Sequence, residues 1–209
     1  PHRVRQVLRS LARNISTLTT ANTILADVRA NDITINERTL DNYLNAMRRL
    51  FVVEDVPAWS PSVRSKTTIR TSVKRQLADP SIATAVMRVD TADLLHDLNT
   101  FGFLFESLCT RDLRVYAQSN DGEIFHYRDK DQLEIDLIIS LNDGRWAAIE
   151  VKLGEHQADE AAANLIQLKN KVDTSRIGEP SFLMVLTGGK FAYQRKDGVM
   201  VVPLACLKD

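Results

Sequence analysis

Asp136, Glu150 and Lys152 are the residues of this chain whose types and spacing could do chemistry together. Carboxylates suit a hard divalent cation: Mg²⁺ prefers oxygen ligands at about 2.0–2.1 Å and is commonly held by one or two carboxylates plus water. An ammonium group beside such an ion can orient an attacking water or offset charge developing on a phosphate. Alone, Glu150-Val151-Lys152 would read as the solvent side of an amphipathic strand. The position of Asp136 argues for more. Leu133–Leu141 and Arg145–Leu153 are both rich in β-branched and aliphatic residues, and Asn142-Asp143-Gly144 between them is hairpin punctuation. A three-residue loop with Gly144 in the left-handed position sets Leu141 opposite Arg145. Counting back, Asp136 faces Glu150, with Cβ atoms about 4.5–5.5 Å apart. Lys152 is two residues past Glu150 and points to the same face. Ile135, Leu137, Ile139, Ile149 and Val151 alternate with the charged residues. Like charges directly opposed on a sheet are destabilising, and a cation between them removes the conflict. A two-residue loop would instead move Asp136 to the other face.

At these positions the chain resembles a known family. Asp136, then strand–turn–strand, then Glu150-Val151-Lys152 is similar to the signature of the PD-(D/E)xK, or restriction-endonuclease-like, nucleases, with Ile135 where the family name has proline. Phe105-Glu106-Ser107-Leu108, Phe125-His126-Tyr127-Arg128-Asp129, Glu134-Ile135-Asp136 and Ile149-Glu150-Val151-Lys152-Leu153-Gly154 follow in order. That ordered set resembles the uncharacterised C-terminal domain of a large group of prokaryotic AAA-type ATPases, over nearly the whole chain. The resemblance implies an α/β fold (α+β overall), with a restriction-endonuclease-like mixed β-sheet flanked by helices. It implies Mg²⁺ or Mn²⁺ held by Asp136, Glu150, the Val151 carbonyl and Glu106, with Lys152 positioning a water. Glu106 read by itself is a surface residue beside an apolar stripe, and only the resemblance makes it a ligand. An ATPase domain in the same full-length chain is also implied; this chain has no Walker pattern of its own. It begins at Pro1 and is expected to be a fragment.

The remaining elements must position these groups. Val4, Val7, Leu8, Leu11 and Ile15 recur at helical spacing, predicting a helix from about Arg3 to Asn14. A second is expected from near Thr20 to Arg29. A third follows either Thr34, which heads a capping-box pattern, or Asn36. With a strand beginning at Phe51, this is the order of a winged helix. Glu37 and Asp41 at the front of the third helix would repel phosphates, so a protein-contact or spacer role is preferred to DNA reading. Asp79-Pro80 reads as an N-cap followed by a first-turn proline. Leu113–Ala117 and Glu123–Arg128 are expected as strands ahead of the central hairpin. Glu160–Val172 reads as a helix covering the sheet, and Ser181–Leu186 as a strand buried on both sides. Val199–Leu204 is expected as the last strand. The domains so drawn are a winged-helix-like module at 1–62, a basic linker or wing at 63–80, and the nuclease-like domain at 81–209.

Zero net charge hides an asymmetry: residues 1–100 carry +4 and residues 101–209 carry −4. No acid lies between Asp55 and Asp79, where Arg64, Lys66, Arg70, Lys74 and Arg75 form a basic strip. It reads either as a phosphate-binding surface, DNA being preferred to RNA, or as a solvated linker. Arg128 is a further candidate for a phosphate, although cross-strand packing is the preferred reading for it and for Tyr127. Cys109 and Cys206 lack metal-ligand spacing and read as reduced thiols. With no apolar run near 20 residues, neither a membrane span nor a membrane partner is expected, and a cytoplasmic location is. Two functions are open: a metal-dependent phosphodiesterase, or a non-catalytic module of an ATPase that binds nucleic acid or protein.

Overall fold

The computed structural model describes residues 2–30, 34–61 and 72–208, in two compact units. The first comprises residues 1–56 and 72–108, the second residues 57–71 and 109–209. The boundary falls inside one long helix.

The first unit opens with α1 (His2–Arg13), α2 (Ala21–Arg29) and α3 (Glu37–Arg49). Thr20 caps α2 by accepting the Thr23 N–H at 3.1 Å. Of the two candidate caps for α3 it is Asn36 that accepts, from Thr39 at 2.9 Å. Val7, Leu11, Ile24, Leu25, Leu40 and Leu44 pack into one buried cluster with Val53 and Leu77. After α3 the chain makes isolated antiparallel bridges, Val53 with Leu77 and Val56 with Lys74. Asp79 and Pro80 start α4 (Pro80–Met87) as their types dictate. A capping box of Asp90 and Asp93 starts α5 (Thr91–His96).

The long helix α6 (Leu98–Ser119) follows. It absorbs Leu113–Ala117, expected as a strand. Cys109, Leu113 and Ala117 are buried at four-residue spacing, so helical burial wins over β-propensity.

The second unit is built on β1 (Gly122–Arg128), β2 (Glu134–Leu141), β3 (Trp146–Lys152), β4 (Leu183–Thr187), β5 (Tyr193–Gln194) and β6 (Met200–Pro203). Between β3 and β4 run α7 (Ala158–Lys171) and the single turn α8 (Thr174–Ile177). The sheet order is β1-β2-β3-β4-β6-β5, antiparallel at β1-β2-β3, parallel at β3-β4 and β4-β6, and antiparallel again at β6-β5. This is the mixed α+β architecture expected. One sheet face, with Ile138, Trp146, Ala148, Leu183 and Val185, packs on Ala158, Ala161, Leu165 and Leu168 of α7. On the other face Ile139, Ala147, Met184 and Met200 line a cavity of about 450 Å³ with Leu113 and Tyr116. On the outer side of β1, His126 bridges Ala58, with the Trp59 N–H donating to His126 O at 2.6 Å. Trp59 also packs against Trp146, ring centroids 4.9 Å apart.

Among the described residues no helix is long and apolar enough to cross a membrane.

Candidate functional site

The hairpin register is the one its turn dictates. Gly144 has φ +89°, the Leu141 N–H donates to Arg145 O at 2.8 Å, and Leu137 pairs with Ile149, Ile138 with Ala148 and Ser140 with Trp146. One step beyond Leu137–Ile149 the ladder stops. The neighbouring pairing gives the reason: Phe125 pairs with Ile138 but Tyr127 pairs with Ile135, so His126 alone faces both Asp136 and Leu137. That is a β-bulge on β2, a device that redirects a side chain. The expected alternation through 135, 137 and 139 therefore breaks, and Ile135 joins Ile138 in the cluster under α7.

Asp136 sits in the bulge. On β3 the N–H groups alternate between neighbours: Ala148 donates toward β4, so Val151 faces β2. There the Val151 N–H finds no β2 carbonyl in register and donates to Asp136 Oδ2 at 2.9 Å. Lys152 Nζ lies 2.8 Å from Glu150 Oε2 and 3.8 Å from Asp136 Oδ2. The two carboxyl groups thus share one ammonium group. Glu150 is buried, at 2% exposure. Burial, then the charge of Asp136, pushes its carboxyl up to about 8 against the opposing pull of Lys152. Asn164 of α7 reaches Glu150 Oε1 at 3.5 Å. Beside it a polar cleft of about 250 Å³ is lined by Gln132, Glu134, Asn164 and Gln167. Neither Asn164 nor Gln167 had a sequence signal beyond lying on the polar side of a helix.

A family model described as a domain of unknown function, DUF4143, matches residues 101–207, more than half of the chain. The chain belongs to the DUF4143 family. A second domain of unknown function, DUF8612, matches residues 1–93. A comparison with curated proteins finds no match. Among solved structures there is a likeness to one titled as a refined half-complex from a tetradecameric assembly of Thermococcus gammatolerans McrB AAA+ hexamers with bound McrC. It has 10% identity and a TM-score of 0.34, and covers 94% of this chain and 70% of that one.

Within the DUF4143 match the other expected site residues are placed as follows. Glu106 lies in the first unit, buried, with Lys74 Nζ 2.6 Å from its Oε1. Among the described residues no group of three or more His, Cys, Asp and Glu side chains is placed to hold a metal ion. Asp136 and Glu150 are a pair. Arg128 is bonded to Glu134 at 2.8 Å and to Gln132 at 2.6 Å. The Tyr127 hydroxyl donates to Asp129 at 3.4 Å, and burial followed by the charge of Asp129 pushes its phenol up. His126 is buried.

Outside the DUF4143 match the basic strip needs a correction. Lys74 and Arg75 are buried at 7% and 6% exposure, Lys74 against Glu106 and Arg75 against Asp55 at 2.7 Å. Buried charges persist when paired, so these two do not belong to an exposed basic surface. Arg64, Lys66 and Arg70 lie outside the described residues. Cys109 and Cys206 are free thiols, one buried and one exposed.

Proposed function

We propose that the DUF4143 portion is a metal-dependent phosphodiesterase of the PD-(D/E)xK type acting on nucleic acid, DNA in preference to RNA. The observation that carries this reading is the convergence of the Asp136 and Glu150 carboxyl groups on Lys152. The donor set fits Mg²⁺ or Mn²⁺: two carboxylates, with the Val151 carbonyl leaving the strand on the Asp136 side, are hard oxygen ligands. Burial first, and the neighbouring Asp136 charge second, raise the proton affinity of Glu150 against the pull of Lys152, and a divalent ion between the carboxylates would offset both. A bound ion would polarise the scissile phosphate and make water more acidic.

The chain's own residues do the rest. The Val151 N–H fixes the angle of the Asp136 carboxylate, and Asn164 steadies Glu150. Lys152, released from the acids, presents its ammonium group to the attacking water or to the charge building on phosphate oxygens. Glu106 is left out of this set, its carboxylate being engaged by Lys74. An ATPase in the same full-length protein is proposed as the setting, on the strength of the ordered sequence words given above.

One observation favours a non-catalytic binding module instead. With Glu150 protonated near neutral pH, Asp136 and Lys152 neutralise one another without any ion. The test is Mg²⁺- or Mn²⁺-dependent cleavage of mixed DNA and RNA substrates by the wild type, Asp136→Asn and Lys152→Ala. Cleavage lost in both variants is the expected result. Cleavage surviving both substitutions belongs to a contaminant, and metal-independent binding without cleavage selects the module.

A further inference from the structure

We propose that the turn after β4, Gly188-Gly189-Lys190, is a second oxyanion position beside the acidic site, filled in the free protein by the carboxylate of Glu155 and taken over by a phosphate group of the substrate. Naming that phosphate as substrate rests on the phosphodiesterase reading, whereas the anion site stands on its own geometry.

β3 and β4 run parallel, with Lys152 paired to Thr187, so both strands deliver their carboxyl ends to the same end of the sheet. Open α/β sheets bind ligands beyond the carboxyl ends of parallel strands. Residues paired in parallel share a face, so Thr187 lies on the face of Lys152 and Glu150. Thr187 is fully buried, and its hydroxyl accepts the Gly189 N–H at 3.2 Å, which closes the turn.

The next N–H, that of Lys190, donates to Glu155 Oε1 at 3.1 Å. The same carboxylate lies over Gly189 so closely that a methyl group there would collide with Oε1 and Cδ of Glu155. A negatively charged group thus rests on bare backbone, held by an N–H, next to the exposed Lys190. Concave turns of backbone N–H groups bind phosphate elsewhere in proteins; here the Lys190 N–H is the one turned to the carboxylate, the Gly189 N–H being held by Thr187. Glu155 is three residues past Lys152 and exposed, so it can swing into solvent. Among the described residues the Lys190 N–H is the one hydrogen-bond partner of its side chain.

The test is an NMR titration of the whole chain with inorganic phosphate, without divalent metal, reading the Gly189 and Lys190 amide resonances. It is repeated with a dinucleotide bearing or lacking a 5′-phosphate. Phosphate and the phosphorylated dinucleotide are expected to move both resonances. Glu155→Ala, and less strongly Glu155→Gln, should bind phosphate more tightly, by about fivefold for Ala, the worth of one modest hydrogen bond. Resonances that stay put in all three proteins, or variants that bind no more tightly, overturn the proposal. With metal absent, the readout is indifferent to whether the acidic site cleaves anything.

Discussion

Val151 donates its backbone N–H to Oδ2 of Asp136 at 2.9 Å, where a regular ladder would have offered a carbonyl. One carboxylate oxygen therefore has a structural duty as well as a candidate chemical one. The two duties separate by substitution. Asp136→Asn keeps an acceptor for Val151, and Asp136→Ala leaves that N–H without one. Urea unfolding of the metal-free protein should find the alanine variant less stable than the asparagine variant by about 1–3 kcal/mol. Equal stabilities would show that the bond contributes nothing.

Glu150 sets the acid–base behaviour of the fold. Its folded value, about 8, lies above the ordinary 4.5, so across that window the folded chain holds a proton that the unfolded chain has released. Stability must then fall as pH rises from about 4.5 to 8 and level off above it, with a slope that cannot exceed about 1.4 kcal/mol per pH unit for one proton. Glu150→Gln should flatten that decline in chemical denaturation measured without divalent metal. A wild-type curve that rises through the window would refute the assignment.

A metal titration by calorimetry at pH 7 should release about one proton per ion bound, because the ligand form of Glu150 is the carboxylate. The release is read from the dependence of the measured heat on buffer ionisation enthalpy. It should shrink above pH 8. Binding with no proton exchange at pH 7 would place the ion elsewhere.

Glu106 and Lys74 predict a stability phenotype. Both are buried, 2.6 Å apart. Removing one partner takes this buried ion pair from the other charge, so Glu106→Ala should cost up to about 3–5 kcal/mol, while Lys74→Met with Glu106→Leu should cost far less. Thermal melts of the three proteins check this. If Glu106→Ala melts like the wild type, the pair has no structural weight.

Gly144 has open space where a side chain would go, so its substitution tests backbone conformation alone. At φ +89°, Gly144→Ala should lose about 1 kcal/mol or more and Gly144→Asn less, by urea denaturation.

The hairpin was legible because everything that fixes it is local: a glycine able to take positive φ and two arms of alternating residues. The bulge was not legible. It arises where His126, whose N–H and carbonyl both bond residues 57–59, meets β2, and that partner is almost seventy residues away in sequence. Leu113–Ala117 misled for a related reason: its residues suit a strand, but the chain reaches them inside a helix that nothing breaks. Lys74 and Arg75 looked like part of a solvated run, yet their partners, Asp55 and Glu106, were too distant for spacing to reveal. Turn geometry set Asp136 opposite Glu150, and the ladder keeps that register as far as Leu137–Ile149, whereas Asn164 came into view only once α7 lay on the sheet.

The outer flank of β1 is engaged at His126 by residues 57–59, and the opposite rim of the sheet is the two-residue β5. Each border so interrupts the row of amides and carbonyls onto which another polypeptide could zip, the usual seed of fibrils and swapped assemblies. A guard against unwanted strand pairing is thus built into both margins, independently of any chemistry at the acidic pair.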